Sequence, residues 1–237
     1  MKIDYLLFAA FAVCLLSVHN FGQTLVEIND PAFEPVKTEL SKTDKVLFEK
    51  NILPAARKRL ASEVCEESAE PASPVQGSFT KSGSKQTLIA YQFCETGNGI
   101  GSVGVAVIEN GKVVANVVSV DSGTAINART LPDINQNGRN EVALSYSGGM
   151  HQGGGGTGVD ILEFSPNGAL NGIGWFQAEE YSESSPVMGY RVLVKPGKVP
   201  SFSRQKYVQN AAGKWRKTGK PMPLKLSKTV SEFESIK

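Results

Sequence analysis

Asp133, Asn135, Asn137, Gly138 and Glu141 stand at positions one, three, five, six and nine of the stretch D-I-N-Q-N-G-R-N-E. That spacing suits a hard divalent cation. Ca²⁺ takes six to eight oxygens, and a tight loop supplies them by turning alternate side chains inward, adding a backbone carbonyl and using Gly at the sharpest bend. The predicted ligands are the side chains of Asp133, Asn135, Asn137 and Glu141 with the carbonyl of Arg139. An EF-hand is excluded, because its twelfth position must be an acid and here it is Leu144, and no helix pattern leads into Asp133. Two carboxylates with two amides make a weakly charged site, so the expected dissociation constant is about 10⁻⁴ to 10⁻³ M. The metal-free alternative is a hairpin turn at Asn137-Gly138, with Asp133 and Asn135 capping loop amides.

The next stretch that could do chemistry is S-G-G-M-H-Q-G-G-G-G-T-G, residues 147–158. It contains G-x-G-x-x-G, but a strand pattern follows instead of a helix, so no helix terminus is there to hold a pyrophosphate. The run is expected as a loop between two strands, with Met150, His151 and Gln152 at its tip as possible ligand contacts. His151 is the one histidine outside residues 1–23, which excludes multi-histidine zinc sites and leaves one base for a hydrolase using Ser145 or Ser147. A glycine-rich loop holds a base poorly, and no G-x-S-x-G or catalytic-cysteine pattern occurs, so no catalytic residue is assigned. Glu179 and Glu180 are adjacent and point to opposite faces if extended.

These residues need elements to carry them. Pro31 and Pro35 predict an extended lead-in after residue 24, and Ser41 with Asp44 gives a capping signal for a helix interrupted or restarted at Pro54. After Pro74 the pattern becomes short β-branched runs separated by Gly turns, with Asn110-Gly111 and Asn167-Gly168 as hairpin signals. The plan recurs with a shift of 55: Tyr91 falls on Tyr146, Gly83 on Gly138, and Ser78, Thr80, Ser82 and Gln86 on Asp133, Asn135, Asn137 and Glu141. The earlier copy keeps the turn and lacks both carboxylates. A third unit is read in residues 190–195, 205–209 and 214–217. The expected fold is mainly β, built of blade-like antiparallel four-stranded units in a partial or small propeller-like arrangement, with short N-terminal helices.

The segment L-P-D-I-N-Q-N-G-R-N-E-V-A-L resembles the D-x-[DN]-x-[DN]-G-x-x-[DE] signature of FG-GAP and VCBS-type repeats of integrin-like β-propellers. The resemblance implies a calcium loop leading into a blade strand. The departures are the number of copies, one intact and one stripped, and the absence of a clear F-G-x-x-G-A-P strand.

Compartment and partners are read from the ends. Residues 5–18 form an apolar run after Lys2, too short to span a bilayer comfortably and placed like the core of a signal peptide, so residues 1–23 are expected as a leader and the protein as exported, with no transmembrane segment in the mature chain. Cys14 goes with that leader, and Cys65 and Cys94 are then an even pair for which a disulfide is expected. Residues 187–237 carry twelve Lys and Arg against two Glu, while residues 24–186 carry twelve basic and twenty acidic side chains. This divides the chain into the leader, a helical lead-in over 24–70, a β domain over 71–219 and a basic flexible tail over 220–237. The expected role is that of an exported calcium-binding module for an unknown protein or an anionic envelope polymer, with no nucleic acid partner. The alternatives are the His151 hydrolase and a structural envelope protein held by its basic end.

Overall fold

Between Val103 and Ile108 successive side chains point to opposite faces and both faces are dry: Val103, Val105 and Val107 are buried in one apolar cluster, Ala106 and Ile108 in another. A strand covered on both sides requires apolar residues at consecutive positions, so V-G-V-A-V-I has no polar alternation. The computed structural model describes residues 24–33, 37–60, 69–96, 100–151, 154–183 and 185–236. The predicted leader and Cys65 lie outside these residues, as does the side chain of Cys94, and with them the expected disulfide.

The strands are β1 (Val26–Asn29), β2 (Glu70–Pro71), β3 (Val75–Gly77), β4 (Gln86–Thr96), β5 (Ile100–Glu109), β6 (Lys112–Thr130), β7 (Val142–His151), β8 (Gly154–Phe164), β9 (Leu170–Ser182), β10 (Ser185–Lys195), β11 (Ser201–Gln209), β12 (Trp215–Leu224) and β13 (Glu234–Ser235). The protein is mainly β. Hydrogen bonding follows chain order from β4 to β12 as one antiparallel meander, β2 and β3 pair with β4, β1 returns to β10 and β13 returns to β6. The path ends at β2 and β12 and does not close. Its β12 edge carries Pro221, Pro223 and exposed Lys217 and Lys220, which blunt further strand pairing.

Separate four-stranded blades are not drawn by this pairing. The long strand β6 bonds to β5 through its first half and to β7 through its second, with a register slip between Thr124 and Asn127 and a φ of 52° at Ala125. That kink hands the chain from one layer to the next without a turn. One cluster, including Leu88, Val105, Val117, Leu144 and Phe164, joins the strands before the kink to β7 and β8. A second lies on the other face of the later strands, under β1, and includes Ile28, Ile134, Val159, Phe176 and Val192.

The third cluster seats a single helical stretch on the earlier strands. It starts as α1 (Lys42–Leu47), capped by the Ser41 hydroxyl, which accepts the Asp44 N–H at 3.1 Å. Pro54 does not break it. A π-helical turn over Phe48–Ile52 leads into α2 (Leu53–Arg59), and the wider turn absorbs the missing proline donor. Among the described residues no helix is long and apolar enough to cross a membrane.

Residues 220–236, expected as a flexible tail, instead complete β12 and run back over the sheet. Ser227 and Trp175 exchange backbone hydrogen bonds at 2.9 Å each, and Asp160 accepts the N–H groups of Val230 at 3.1 Å and Ser231 at 3.2 Å. Burial raises the Asp160 carboxyl above its ordinary range, against the opposing pull of those two donors. Asp160→Ala is expected to cost about 1–3 kcal/mol by stranding both amides. Faster hydrogen exchange confined to residues 228–236 would show that it acts through this strap; unchanged exchange there would show that the strap is held by other means.

Candidate metal centre

The loop from Asp133 to Glu141 leaves β6 and enters β7. Its chain reverses through two left-handed residues, Gln136 at φ 62° and Gly138 at φ 87°, which fold the side chains of positions one, three and five toward the loop's own backbone. The Asp133 carboxylate accepts Asn137 N–H at 2.9 Å and Gly138 N–H at 2.7 Å. Asn135 and Asn137 accept through their amide oxygens from the backbone of Asn137 at 3.2 Å and Arg139 at 2.9 Å. Each carboxylate oxygen has two lone pairs, so these bonds shape the loop without exhausting its acceptors.

Glu141 sits beneath the loop and is fully buried. Its Oε2 accepts Ile134 N–H at 2.8 Å, whereas its Oε1 is buried with no hydrogen-bond partner among the described residues. Burial, with smaller contributions from the negative charges of Asp133 and Glu163, pushes its carboxyl up to about 7 against the bond from Ile134. An ionised oxygen in that position lacks a cation or a proton.

Glu163 on β8 is the member of the site that the loop pattern does not reveal. Its carboxylate takes the side-chain amide of Asn135 at 2.9 Å, that of Asn137, and the guanidinium of Arg139. Arg139 thus contributes a charged side chain where the sequence suggested a carbonyl ligand, and its Nε also donates to the Phe164 carbonyl at 3.1 Å. A signal for Glu163 exists: β7 and β8 pair Val142 with Leu162, so the next step outward sets residue 141 opposite 163. Among the described residues, no three His, Cys, Asp or Glu side chains are grouped tightly enough to hold a metal by themselves. Amide and backbone oxygens have to complete any cation shell here, and the donors are all hard oxygens.

Fifty-five residues earlier, the loop from Ser78 to Gln86 makes the matching turn. Gly83 has φ 70°, and Gln86 is fully buried with its Oε1 accepting Phe79 N–H at 2.8 Å and Thr80 N–H at 2.9 Å. Gln86 Nε2 donates to Thr80 Oγ1 at 2.7 Å, so the neutral amide satisfies what Glu141 leaves open. The two loops touch: Asn140 Oδ1 accepts Ser78 N–H at 2.7 Å, and Asn140 N–H returns to the Ser78 carbonyl at 2.9 Å.

The glycine run expected as a loop is mostly strand. Met150 and His151 end β7 opposite Gly155 and Gly154; their side chains, and Gln152, lie outside the described residues. The glycines serve close approach. A Cβ on Gly158 would fall 2.5 Å from Trp175 Nε1, and one on Gly156 would fall 2.4 Å from the Glu179 carbonyl. The chain matches no protein-family model, no curated protein and no solved structure.

Proposed function

We propose that this chain is an exported binding module whose loop Asp133–Glu141 takes one Ca²⁺. The observation that carries the reading is the buried, unpartnered Oε1 of Glu141, set beneath an oxygen-rich loop. Asp133, Asn135, Asn137, the Arg139 carbonyl and Glu141 would hold the ion, and rotation of the two Asn amides away from Glu163 would turn their oxygens inward. The ion would neutralise Glu141 and lock the turn; it supplies no reaction. Each loop with the three strands after it is read as one FG-GAP/VCBS-like unit, blade-like in plan, with the earlier copy stripped of its charges and retained as a support. Export rests on the apolar run over residues 5–18.

The test is a thermal melt of the protein in chelator and across a calcium series, with Asp133→Ala as control. About 10 mM calcium against a site of about 1 mM affinity adds about 1.4 kcal/mol, which is a rise of several degrees. A rise that disappears in the variant supports the metal. No rise at any concentration leaves Arg139 as the loop's own cation.

A second reading concerns the basic end. Lys206, Arg216, Lys217 and Lys220 are exposed on the β11–β12 hairpin with no acidic partner among the described residues, a surface suited to an anionic polymer. Retention on such a polymer should fall steeply as salt approaches 0.15 M, where screening acts over about 8 Å. Retention that is flat with salt removes this reading.

A further inference from the structure

The later strands carry a cleft of about 410 Å³ between their outer face and the lead-in, walled by Asp30, Pro31 and Phe33 on one side and floored by Ala143 and Ala178. The size is that of a small-ligand site, and methyl-sized floor residues leave the space open. Three charged side chains line it: Asp30, Arg129 and Glu179. Asp30 is already engaged, accepting Ala32 N–H at 2.9 Å and facing Arg191 at 3.5 Å.

Among the described residues the other two have no ion-pair partner. The Arg129 guanidinium lies over the Phe33 ring, 5.3 Å from its centroid, and gives one hydrogen bond of 3.4 Å to the Ile28 carbonyl. A guanidinium has five N–H donors, so most of its capacity is unspent, and among the described residues it has no carboxylate partner. Glu179 is half-buried, with no hydrogen bond or ion pair to its carboxylate among the described residues, and burial raises its carboxyl above the ordinary value. Two opposite charges that share a cleft and do not meet are what an extended zwitterion would join.

The register puts both on one face. Arg129 pairs with Ala143 and Ala143 with Ile161, while Glu179 pairs with Thr157, four residues from Ile161 along β8. Three strand spacings of about 4.8 Å and four steps of about 3.3 Å set the two backbones about 19 Å apart on the diagonal. The two long side chains reach into that span, and an extended chain of two or three residues, at about 3.5 Å each, fills the remainder. A longer peptide would bury one terminus without a charge to meet it, and a single amino acid would reach one end only.

We infer that this cleft binds a short peptide with free ends, its carboxylate on Arg129, its ammonium on Glu179 and small apolar side chains on the alanine floor. The site is separate from the metal loop and stands whether or not calcium binds there.

Calorimetric titration of the full chain with trialanine, N-acetyl-trialanine and trialanine amide tests this, in calcium and in chelator. Free trialanine should bind, and acetylation or amidation should each weaken binding at least tenfold. The acetylation penalty should vanish in Glu179→Gln and the amidation penalty in Arg129→Gln, while Glu179→Asp and Arg129→Lys recover part of the affinity for the free peptide. Thermal melts confirm that each variant is folded before it is titrated. Equal binding of the three peptides, no binding of any of them, or free-peptide affinity unchanged in the two neutral variants would overturn the inference.

Discussion

Gly104→Ala is expected to destabilise the protein by about 3 kcal/mol or more. Gly104 on β5 faces Tyr91 on β4, and a Cβ there would fall 2.0 Å from Cζ of the ring and 2.4 Å from its hydroxyl oxygen. The ring has nowhere to go. It is fully buried, Phe48 meets it edge-on at 5.3 Å, and its hydroxyl donates to Asn116 Oδ1 at 2.8 Å. Asn116 in turn donates to the Ile52 carbonyl at 3.2 Å, so the ring also ties the helical stretch to the sheet. Displacing it would strand two polar groups as well as overpack the core. Urea denaturation of Gly104→Ala in the parent and in a Tyr91→Leu background separates the causes. In the second background the cost should fall below about 1 kcal/mol, and an unchanged cost would show that the ring is not what the methyl meets.

The second large effect belongs to Glu141. Its carboxyl is raised in the folded state to about 7 from an ordinary value of 4.5, chiefly by burial. In chelator, the folded protein then holds a proton that the unfolded chain has released over that window. Stability should therefore fall as pH rises from about 4.5 to about 7, by about 3 kcal/mol at 1.36 kcal/mol per unit, and level off above it. Glu141→Gln removes this group's contribution to the slope and should be at least as stable as the parent at pH 8 in chelator. Calcium reverses the ranking: it needs the ionised form, so its stabilisation should grow across the same window, with release of close to one proton per ion near pH 6. The variant should gain nothing from calcium. A variant with the parent's pH slope in chelator would show that Glu141 carries no unmet charge.

The loop is legible in the sequence because its chemistry is local: ligand spacing and turn glycine lie within nine residues, and the backbone bends where Gly138 stands. Glu163 is hidden because it arrives by strand pairing, which requires the glycine run to be read as a hairpin. That run reads as a loop since glycine is a poor strand former in general, yet here Trp175 and the Glu179 backbone occupy the space where side chains would be. Separate blades are not legible at β6, where the turn-type residues Asp121, Ser122 and Gly123 precede the kink yet the strand runs on through it, with Ala125 in a left-handed conformation. The path of the last residues is hidden for a related reason. Their lysines suggest a solvated end, but their anchors are backbone N–H groups, which every sequence has, received by Asp160 on a distant strand.

Those anchors also set an order of events. β13 pairs with Val117 and Val118 on β6, over a hundred residues earlier, and the Ile236 N–H bonds to the Asn116 carbonyl at 2.8 Å. Asn116 is the same residue that links Tyr91 to the helical stretch. The layer made first is thus finished by a segment made over a hundred residues later. A ribosome that has delivered the first half has delivered a sheet lacking one of its strands, and the missing contacts have the longest loops to close. Refolding should accordingly be slow, its final step the seating of residues 227–236, and a chain shortened before Asp160's partners should remain open along β6 however well its first half is packed.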